Sequence, residues 1–381
     1  MTAHPKSTIL AVLLTLMVVF SSSATNDTKW KVAQKDYVWS FPADHWARHG
    51  YKTEWWYFTG HLQADDGQRF GYQFTFFRIG ISPTKPTAAS NWAARDLIMG
   101  HATIGDLAKQ KHHFSEVFYR AVPLLGGFGA YPDPLIAWSQ APAGTDGKWR
   151  LSWNGEAFDF EMIDAAQGFS FSLSTRPLKP LIFQGPNGFS RKGTSATTET
   201  PAASHYYSFT RLHTTGRVSL AGKTWSVTGQ SWMDKEFGSN QLAAHQVGWD
   251  WFSLQLNDGR EIMLYLLRDK NGSVDFASAT LVQPDGQTQY LGRQAFTIQV
   301  QERWRSPTTS SKYPSRWTVS IAQAALELEI VPAMANQENR SRILPNLYYW
   351  EGAVDVRRQG KSIGKGYVEL TGYGTSSRPA I

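Results

Sequence analysis

Large apolar residues occupy every second position in several short runs of this sequence. Phe70, Tyr72, Phe74 and Phe76 alternate with small or polar residues, and three further runs repeat the pattern. These runs cover residues 158–162, 169–173 and 326–330. An alternation of period two is typical of a β-strand with one buried face. The pattern therefore predicts a chain built mainly from strands.

Asn-Gly and Asp-Gly pairs, which favour the positive φ angles of tight hairpins, separate many of these runs. They lie at residues 66–67, 146–147, 154–155, 187–188, 258–259, 271–272 and 285–286. Only residues 105–120, and less clearly residues 230–242, have a pattern compatible with a helix. We therefore expect an all-β fold of many antiparallel hairpins, as in barrels and sandwiches.

A segment rich in Gly, Ser, Thr, Ala and Pro, residues 185–204, divides the chain after its leader into nearly equal halves. A stretch of this composition between patterned regions is typical of a linker. The chain is also long enough for two domains, each with its own core. We expect an N-terminal β-barrel domain at residues 25–200 and a C-terminal β-barrel domain at residues 201–381.

The two halves share a short pattern. In the first half, an aromatic run at residues 55–58 is followed by an Asp-Gly turn and a strand that ends in Arg78. In the second, residues 249–252 are followed by the same kind of turn and a strand that ends in Arg268. The match indicates a duplicated barrel.

The N-terminal residues have the features of an export signal. Lys6 precedes an apolar stretch at residues 9–20, and small residues up to Ala24 provide a cleavage site. The alternative is an uncleaved membrane anchor, although the stretch is short for a bilayer of about 30 Å. We expect residues 1–24 to be a cleaved signal peptide and the protein to be periplasmic or secreted.

Composition narrows the classes of function. The 381 residues include no Cys, which excludes disulfides, thiolate metal sites and a thiol nucleophile. They include 16 Trp, 15 Tyr and 21 Phe, so large cores or an apolar pocket must accommodate many rings. The net charge of +7 arises from scattered Lys and Arg, which indicates a soluble basic surface and no nucleic-acid partner.

A first cluster of candidate functional residues lies at residues 41–60, before and at the start of a strand. It contains Asp44, His45, His49, Glu54 and two adjacent tryptophans. The spacing matches no zinc motif, so we expect no metal. Burial against the indole rings would raise the pKa of Glu54 and make it a proton donor or a pocket anchor. The alternative is that the histidines only order loops and the tryptophans only fill the core.

A second cluster lies at residues 230–242. Asp234 and Glu236 are two residues apart, so in an extended chain both carboxylates face one side. Carboxylates that share a site can also share a proton, which leaves one of them protonated to act as an acid. Trp232 and Phe237 surround the pair with apolar surface, whereas Lys235 favours the alternative of an exposed, salt-bridged loop.

A third stretch, residues 191–193 followed by residues 205–207, lies in the region between the two halves. Its Tyr and His side chains would line a cleft there, or make ordinary linker contacts. The chain has no phosphate-binding glycine loop and no Gly-x-Ser-x-Gly elbow, which argues against nucleotide binding and a serine esterase.

Several of these motifs together resemble the lipocalin-like family that includes carotenoid 1,2-hydratase (hydroxyneurosporene synthase) and AttH-type secreted proteins. The resemblance begins in residues 41–60 and continues through most of the chain. The matching blocks are residues 100–102, 189–193, 205–208, 232–238, 248–252, 349–354 and 366–373.

The resemblance implies two tandem lipocalin-like (calycin-type) antiparallel β-barrels, an apolar ligand such as a lipid or isoprenoid, and no cofactor. Carotenoid hydratases of the family protonate a terminal C=C bond to a carbocation and then add water. Such a route needs an acid, aromatic faces and a positioned water. By resemblance, Asp234 is the acid and Glu236 the neighbour that raises its pKa.

The resemblance also implies roles for residues around this acid. The rings expected to face a cation are Trp232, Trp249 and Trp251. Those expected to position water or substrate are Glu54, His45 and Tyr207, with His49 and Trp56 as further substrate-binding residues.

Three functions stay open at this point. The first is a cofactor-independent hydro-lyase. The second is a periplasmic carrier of an apolar ligand, since lipocalin barrels bind such ligands without chemistry. The third is an adaptor that docks onto an envelope transporter, such as an ABC transporter. Family members are often described as secreted hydrolases, a description for which the motifs provide no mechanism.

Overall fold

The computed structural model describes residues 29–193 and 202–375, so the expected signal peptide lies outside the described residues. The described chain forms 23 β-strands in two antiparallel sheets, and contains four 3-10 helices but no α-helix. The 3-10 helices are Ala43–His45, Pro186–Gly188, Arg293–Ala295 and Ala322–Ala324. The all-β prediction is therefore confirmed.

The first sheet contains thirteen strands, in the order β4-β3-β2-β1-β13-β12-β9-β8-β7-β6-β5, with β10 and β11 paired to β12. Its two ends, β4 and β5, approach each other and nearly close a barrel. The strands are β1 (Thr53–Ala64), β2 (Arg69–Gly80), β3 (Asp96–Asp106), β4 (Lys111–Arg120), β5 (Gly126–Phe128), β6 (Leu135–Gln140), β7 (Lys148–Trp153), β8 (Phe158–Asp164), β9 (Phe169–Pro177), β10 (Ile182–Phe183), β11 (Phe189–Arg191), β12 (Ala203–Leu220) and β13 (Lys223–Asn240).

The second sheet contains ten strands, in the order β17-β16-β15-β14-β23-β22-β20-β19-β18, with β21 paired to β22. The strands are β14 (Gln246–Leu256), β15 (Glu261–Asp269), β16 (Val274–Val282), β17 (Thr288–Gly292), β18 (Thr297–Arg305), β19 (Lys312–Ile321), β20 (Leu326–Pro332), β21 (Glu338–Arg340), β22 (Tyr348–Arg358) and β23 (Lys361–Leu370).

Both sheets start in the same way. Four successive strands form a meander, and its first strand pairs on its other side with the last strand of the sheet, β1 with β13 and β14 with β23. The shared hairpin pattern corresponds to β1–β2 and β14–β15. In each hairpin the arginine pairs with a carboxylate of the preceding strand: Arg78 with Glu54, at 2.7 Å, and Arg268 with Asp250, at 2.9 Å. The predicted duplication is therefore visible in the topology.

Each sheet wraps around its own filled core. In the first, Phe58, Phe74 and Phe160 stack in the interior, and in the second, Phe252 packs against Trp317. A third apolar cluster contains residues of both sheets and lies between them. The interior of each sheet is thus occupied by side chains, and the inter-sheet space holds a separate set of aromatic residues.

The structure corrects two expectations about the organisation of the chain. The predicted domain boundary at 200/201 falls before β12, but β12 and β13 belong to the first sheet, so the chain changes sheet between residues 240 and 246. The linker-like composition of residues 185–204 misled the prediction because it marks a connection within one sheet. Residues 194–201 of that segment lie outside the described residues.

Neither of the two segments judged compatible with a helix is helical. Residues 105–120 form the end of β3, a turn and β4, and residues 230–242 lie mostly in β13. In β13 both faces are buried, one inside the first sheet and one between the sheets, so polar and apolar residues do not alternate there. Six of the seven Asx-Gly pairs do connect paired strands, and the seventh lies in the 3-10 helix Pro186–Gly188. No helix in the described ranges is long and apolar enough to cross a membrane.

Candidate active site

A cleft between the two sheets collects most of the candidate acid–base residues. Strands β1, β2, β12 and β13 line it from the first sheet, and β14, β15, β22 and β23 line it from the second. Its free space is about 80 Å³, which is enough for several water molecules or a small part of a larger ligand. Aromatic rings cover most of its wall, and four carboxyl groups interrupt them.

Strand β13 places two of these carboxyl groups on the cleft side. Side chains alternate along a strand, so Asp234 and Glu236 project into the cleft while Met233 and Phe237 are buried on the opposite side. The two carboxylates thus share one face, as their spacing predicts. The exposed-loop alternative is wrong, because the intervening Lys235 is completely buried inside the first sheet.

Asp234 is buried and surrounded by hydrogen-bond donors. Its Oδ2 accepts a 2.5 Å hydrogen bond from the Tyr206 hydroxyl, and its Oδ1 accepts bonds from the Ser208 hydroxyl and, at 2.7 Å, from the Trp232 indole N–H. Burial raises the pKa of Asp234 to about 7 although these hydrogen bonds oppose the shift, and the nearby charge of Glu236 adds to it. A carboxyl group with this pKa can both donate and accept a proton at neutral pH.

Glu236 faces the positive charge in the cleft. Its Oε1 lies 2.5 Å from the Lys192 ammonium and also accepts a hydrogen bond from Ser204. The Lys192 ammonium lies over the rings of Tyr206 and Tyr265, at 5.0 and 4.5 Å from their centroids. Glu236 therefore has a counter-ion, which Asp234 lacks.

The second sheet contributes Glu351 and Glu369, which lie directly opposite each other on β22 and β23. Like charges at such positions repel. Burial and the charge of Glu369 raise the pKa of Glu351 well above its usual value. Burial also raises the pKa of Glu369 to about 7, although the Trp249 indole N–H, 3.0 Å from its Oε2, opposes the shift.

Two of the three tryptophans expected to face a cation line the cleft. They are Trp249 and Trp251, and the third, Trp232, lies within the same cluster and donates to Asp234. The Trp251 indole N–H donates to the Tyr206 hydroxyl at 3.0 Å, so that hydroxyl can direct its own proton to Asp234. Trp251 thereby connects the two sheets through a chain of hydrogen bonds.

The remaining predicted carboxylate, Glu54, does not line the cleft. It is buried inside the first sheet, where it pairs with Arg78 and with the Lys235 ammonium. Burial favours its neutral form, but the two positive charges outweigh burial and lower the pKa of Glu54. The expectation of a raised pKa is therefore wrong, because the sequence did not show that two cations would reach this carboxylate.

The other predicted substrate-binding residues also lie away from the cleft. The His45 Nδ1 is 2.6 Å from the Tyr207 hydroxyl inside the first sheet, and burial lowers the pKa of His45 to about 3. Trp56 is completely buried in the same core, and the Lys235 ammonium lies 3.6 Å from the centroid of its ring. His49 lies near the surface, with its Nδ1 2.9 Å from Asp96.

Sequence reasoning missed four functional candidates: Lys192, Tyr206, Glu351 and Glu369. Lys192 and Tyr206 lie in the stretches expected either to line a cleft between the halves or to make linker contacts, and both line the cleft, whereas His205 faces the first sheet. Tyr207 was chosen as the ligand-facing tyrosine, but neighbours on a strand face opposite sides, and Tyr206 is the one in the cleft. The only signal for the two glutamates was their place in the matching blocks at residues 349–354 and 366–373.

The raised pKa of Glu369 predicts a pH-dependent stability. The folded protein binds this proton more tightly than the unfolded chain, so the stabilisation is present at low pH and is lost between about pH 4.5 and 7. Glu369→Gln has no such proton, and its free energy of unfolding should rise relative to the wild type by up to about 3 kcal/mol across this range. Urea unfolding at several pH values measures the difference. The exposed control Glu161→Gln should show none, and parallel curves for Glu369→Gln and the wild type would contradict the prediction.

No group of three or more His, Cys, Asp or Glu residues in the described parts of the chain is arranged to hold a metal ion. The cleft itself presents carboxyl, hydroxyl, indole and ammonium groups. Four carboxyl groups in different electrostatic surroundings, beside aromatic faces, form the kind of arrangement that acid–base chemistry requires.

Comparison with known proteins finds solved structures that share this fold. The chain shares 32% sequence identity and a TM-score of 0.78 with a crystal structure from Nitrosomonas europaea assigned to AttH, over 90% of this chain and 100% of that one. It shares the fold of kievitone hydratase from Nectria haematococca with a TM-score of 0.63 and 12% identity, over 91% of this chain and 96% of that one.

A search of curated proteins returned no match to this sequence. The sequence profile of the AttH-like family, in contrast, matches residues 32–373, which include both sheets and all four carboxyl groups of the cleft. The chain therefore belongs to the AttH-like family.

Proposed function

We propose that this protein is an exported, cofactor-independent hydratase that adds water to a C=C bond of a mainly apolar small molecule in the inter-sheet cleft. The observation that carries the proposal is Asp234. It is a buried carboxyl group with a pKa of about 7 and no counter-ion of its own, in a cleft lined by aromatic rings. This is the environment that an acid needs to protonate a weakly basic alkene.

The reaction balances with the groups in the cleft. The Asp234 proton forms a C–H bond at one alkene carbon, and the π electrons leave the other carbon positively charged. The faces of Trp249 and Trp251 stabilise this cation. The oxygen of a water molecule then bonds to the cation, and a proton of that water passes to a carboxylate such as Glu369. Glu369 releases this proton to solvent, and Asp234 takes one proton back from solvent, so the cycle has no net gain or loss of protons.

The fold and the packing support a hydratase over a carrier. The fold is shared with a protein whose name describes hydration of kievitone, although 12% identity relates only the folds. A lipocalin-type carrier holds its ligand inside a barrel. In the described residues here, side chains fill the interiors of both sheets, and the cleft contains four carboxyl groups that a passive apolar carrier does not need.

The proposal is tested by identifying the bound molecule and then following hydration. The protein is purified from cells that make it, and the bound molecule is extracted and identified by mass spectrometry. The unsaturated form of this molecule is then incubated with fresh protein in water labelled with oxygen-18. We expect the product to contain one oxygen-18 atom. A bound molecule that is never hydrated would contradict catalysis and favour the carrier. A protein that is purified empty and takes up no ligand would favour the adaptor of an envelope transporter.

A further inference from the structure

Three buried polar atoms in the cleft make no hydrogen bond of good geometry with another described residue, although the Tyr57 hydroxyl and the Glu351 carboxyl group are close neighbours. They are the Tyr57 hydroxyl, Gln73 Oε1 and Glu351 Oε1. Their side chains are at least nine-tenths buried, and all three line the cleft. Buried polar atoms in folded proteins nearly always have a partner, so Gln73 Oε1, the one of the three without such a neighbour, indicates a ligand that donates a hydrogen bond to it.

The Gln73 amide defines what the ligand must offer. The oxygen of the Gln73 amide is only an acceptor, and its nitrogen already donates to Thr75 at 2.6 Å. A ligand hydroxyl can therefore donate to Gln73 Oε1, whereas a pure hydrocarbon or an ether has no proton to donate and would leave this atom without a partner.

The charges in the cleft restrict the ligand further. Lys192 is the one cation among the described residues that line it, and Glu236 already neutralises Lys192 at 2.5 Å. Asp234, Glu351 and Glu369 are the remaining charged or titratable acids of the wall. An incoming carboxylate or phosphate would face these acids with no free positive partner, and like charges at close range repel strongly in a site of low dielectric constant.

We propose that the cleft binds an uncharged, unsaturated molecule that carries a hydroxyl group, and that it discriminates against anions and against analogues without the hydroxyl. This inference rests on the proposed function, since it concerns the same cleft and names its substrate class. It differs from an apolar lipid or isoprenoid in general, because fatty acids and unsubstituted hydrocarbons are excluded.

Three probes with one carbon skeleton test the proposal: geraniol, geranyl methyl ether and geranic acid. Their affinities for the full protein are measured by calorimetry in mildly alkaline buffer, where geranic acid is a carboxylate. We expect geraniol to bind about tenfold or more tightly than either of the others, because one hydrogen bond to an otherwise unpaired buried group has about this effect.

Two variants assign the preference to named groups. Gln73→Met should weaken geraniol binding and leave the ether nearly unchanged, because the ether cannot donate to Gln73 Oε1, while the matched control Gln299→Met, at an exposed position of β18, should alter neither. Glu369→Gln should reduce the discrimination against geranic acid, because it removes a negative charge from the wall. Circular dichroism verifies that each variant is folded.

Equal affinity for the three probes, tighter binding of the acid or the ether, or no binding of geraniol would overturn the proposal. So would a Gln73→Met variant that is folded and retains the full preference for geraniol over its ether. The outcome is distinguishable from failure of the hydratase proposal, because binding is measured without turnover. A protein that prefers geraniol but hydrates no ligand would refute only the catalytic step.

Discussion

Replacing Asp234 with Asn should lower the rate of hydration by about 10²–10⁴-fold, the usual contribution of a positioned general acid. The substitution preserves the size of the side chain and keeps an oxygen that accepts from Ser208 and Trp232, but it removes the proton that the alkene must receive. The ligand should still bind, because the aromatic wall is unchanged. The measurement is kcat and KM for the extracted substrate, with the loss expected in kcat.

The control for this prediction is Asp159→Asn, on β8 of the first sheet and remote from the cleft residues, which should leave kcat unchanged. Glu54→Gln provides a second comparison, since Glu54 lies inside the first sheet and should influence stability more than turnover. An Asp234→Asn protein that binds and hydrates the substrate at the wild-type rate would eliminate Asp234 as the acid.

Replacing Arg78 with Leu should lower the free energy of unfolding by about 3–5 kcal/mol, because it leaves buried charges without a partner. The Arg78 guanidinium is completely buried, with Nε 2.7 Å from Glu54 and Nη1 2.8 Å from Asp96. It also donates to the carbonyl oxygens of Tyr51 and Arg48, at 2.6 and 3.1 Å. One side chain thus joins the loop before β1 to strands β1, β2 and β3.

The matched control is Arg150→Leu in the same sheet. Arg150 pairs with Glu161 at 3.3 Å, but both side chains are about half exposed, and such surface pairs contribute at most about 1 kcal/mol. Urea unfolding followed by tryptophan fluorescence compares the two variants. Arg78→Lys retains the charge but not the planar guanidinium group, so its free energy of unfolding should lie between those of Arg78→Leu and the wild type. Equal losses for Arg78→Leu and Arg150→Leu would show that the buried network contributes no more than a surface pair.

Local patterns in the sequence were sufficient for the class of fold. The alternation at residues 70–76 and the Asx-Gly pairs report strands and hairpins directly, because side-chain direction along a strand and backbone conformation in a turn depend on neighbouring residues. The same reasoning placed Asp234 and Glu236 on one face. It failed at residues 230–242, where two different cores bury both faces and the alternation disappears.

The candidate site depends on contacts that no local pattern contains. Tyr206 and Tyr207 differ by one position, and only the pairing of β12 with β13 decides which of them meets Asp234 and which meets His45. Glu54 appeared to be an acid beside tryptophans until Arg78 and Lys235 were seen to reach it. In these cases the residue type was visible in the sequence, but its electrostatic surroundings were not.

The sequence by itself determined most of the strands and turns, the duplication, the absence of cysteine chemistry and the resemblance from which Asp234 is proposed as the acid. Only the tertiary structure decided that the acids meet between the sheets, and that Glu351 and Glu369 join Asp234 from the other half of the chain. The physical reason is that pKa values and hydrogen bonding depend on burial and on charges a few ångströms away. Such neighbours come from strands more than a hundred residues apart, as Asp234 and Glu351 do.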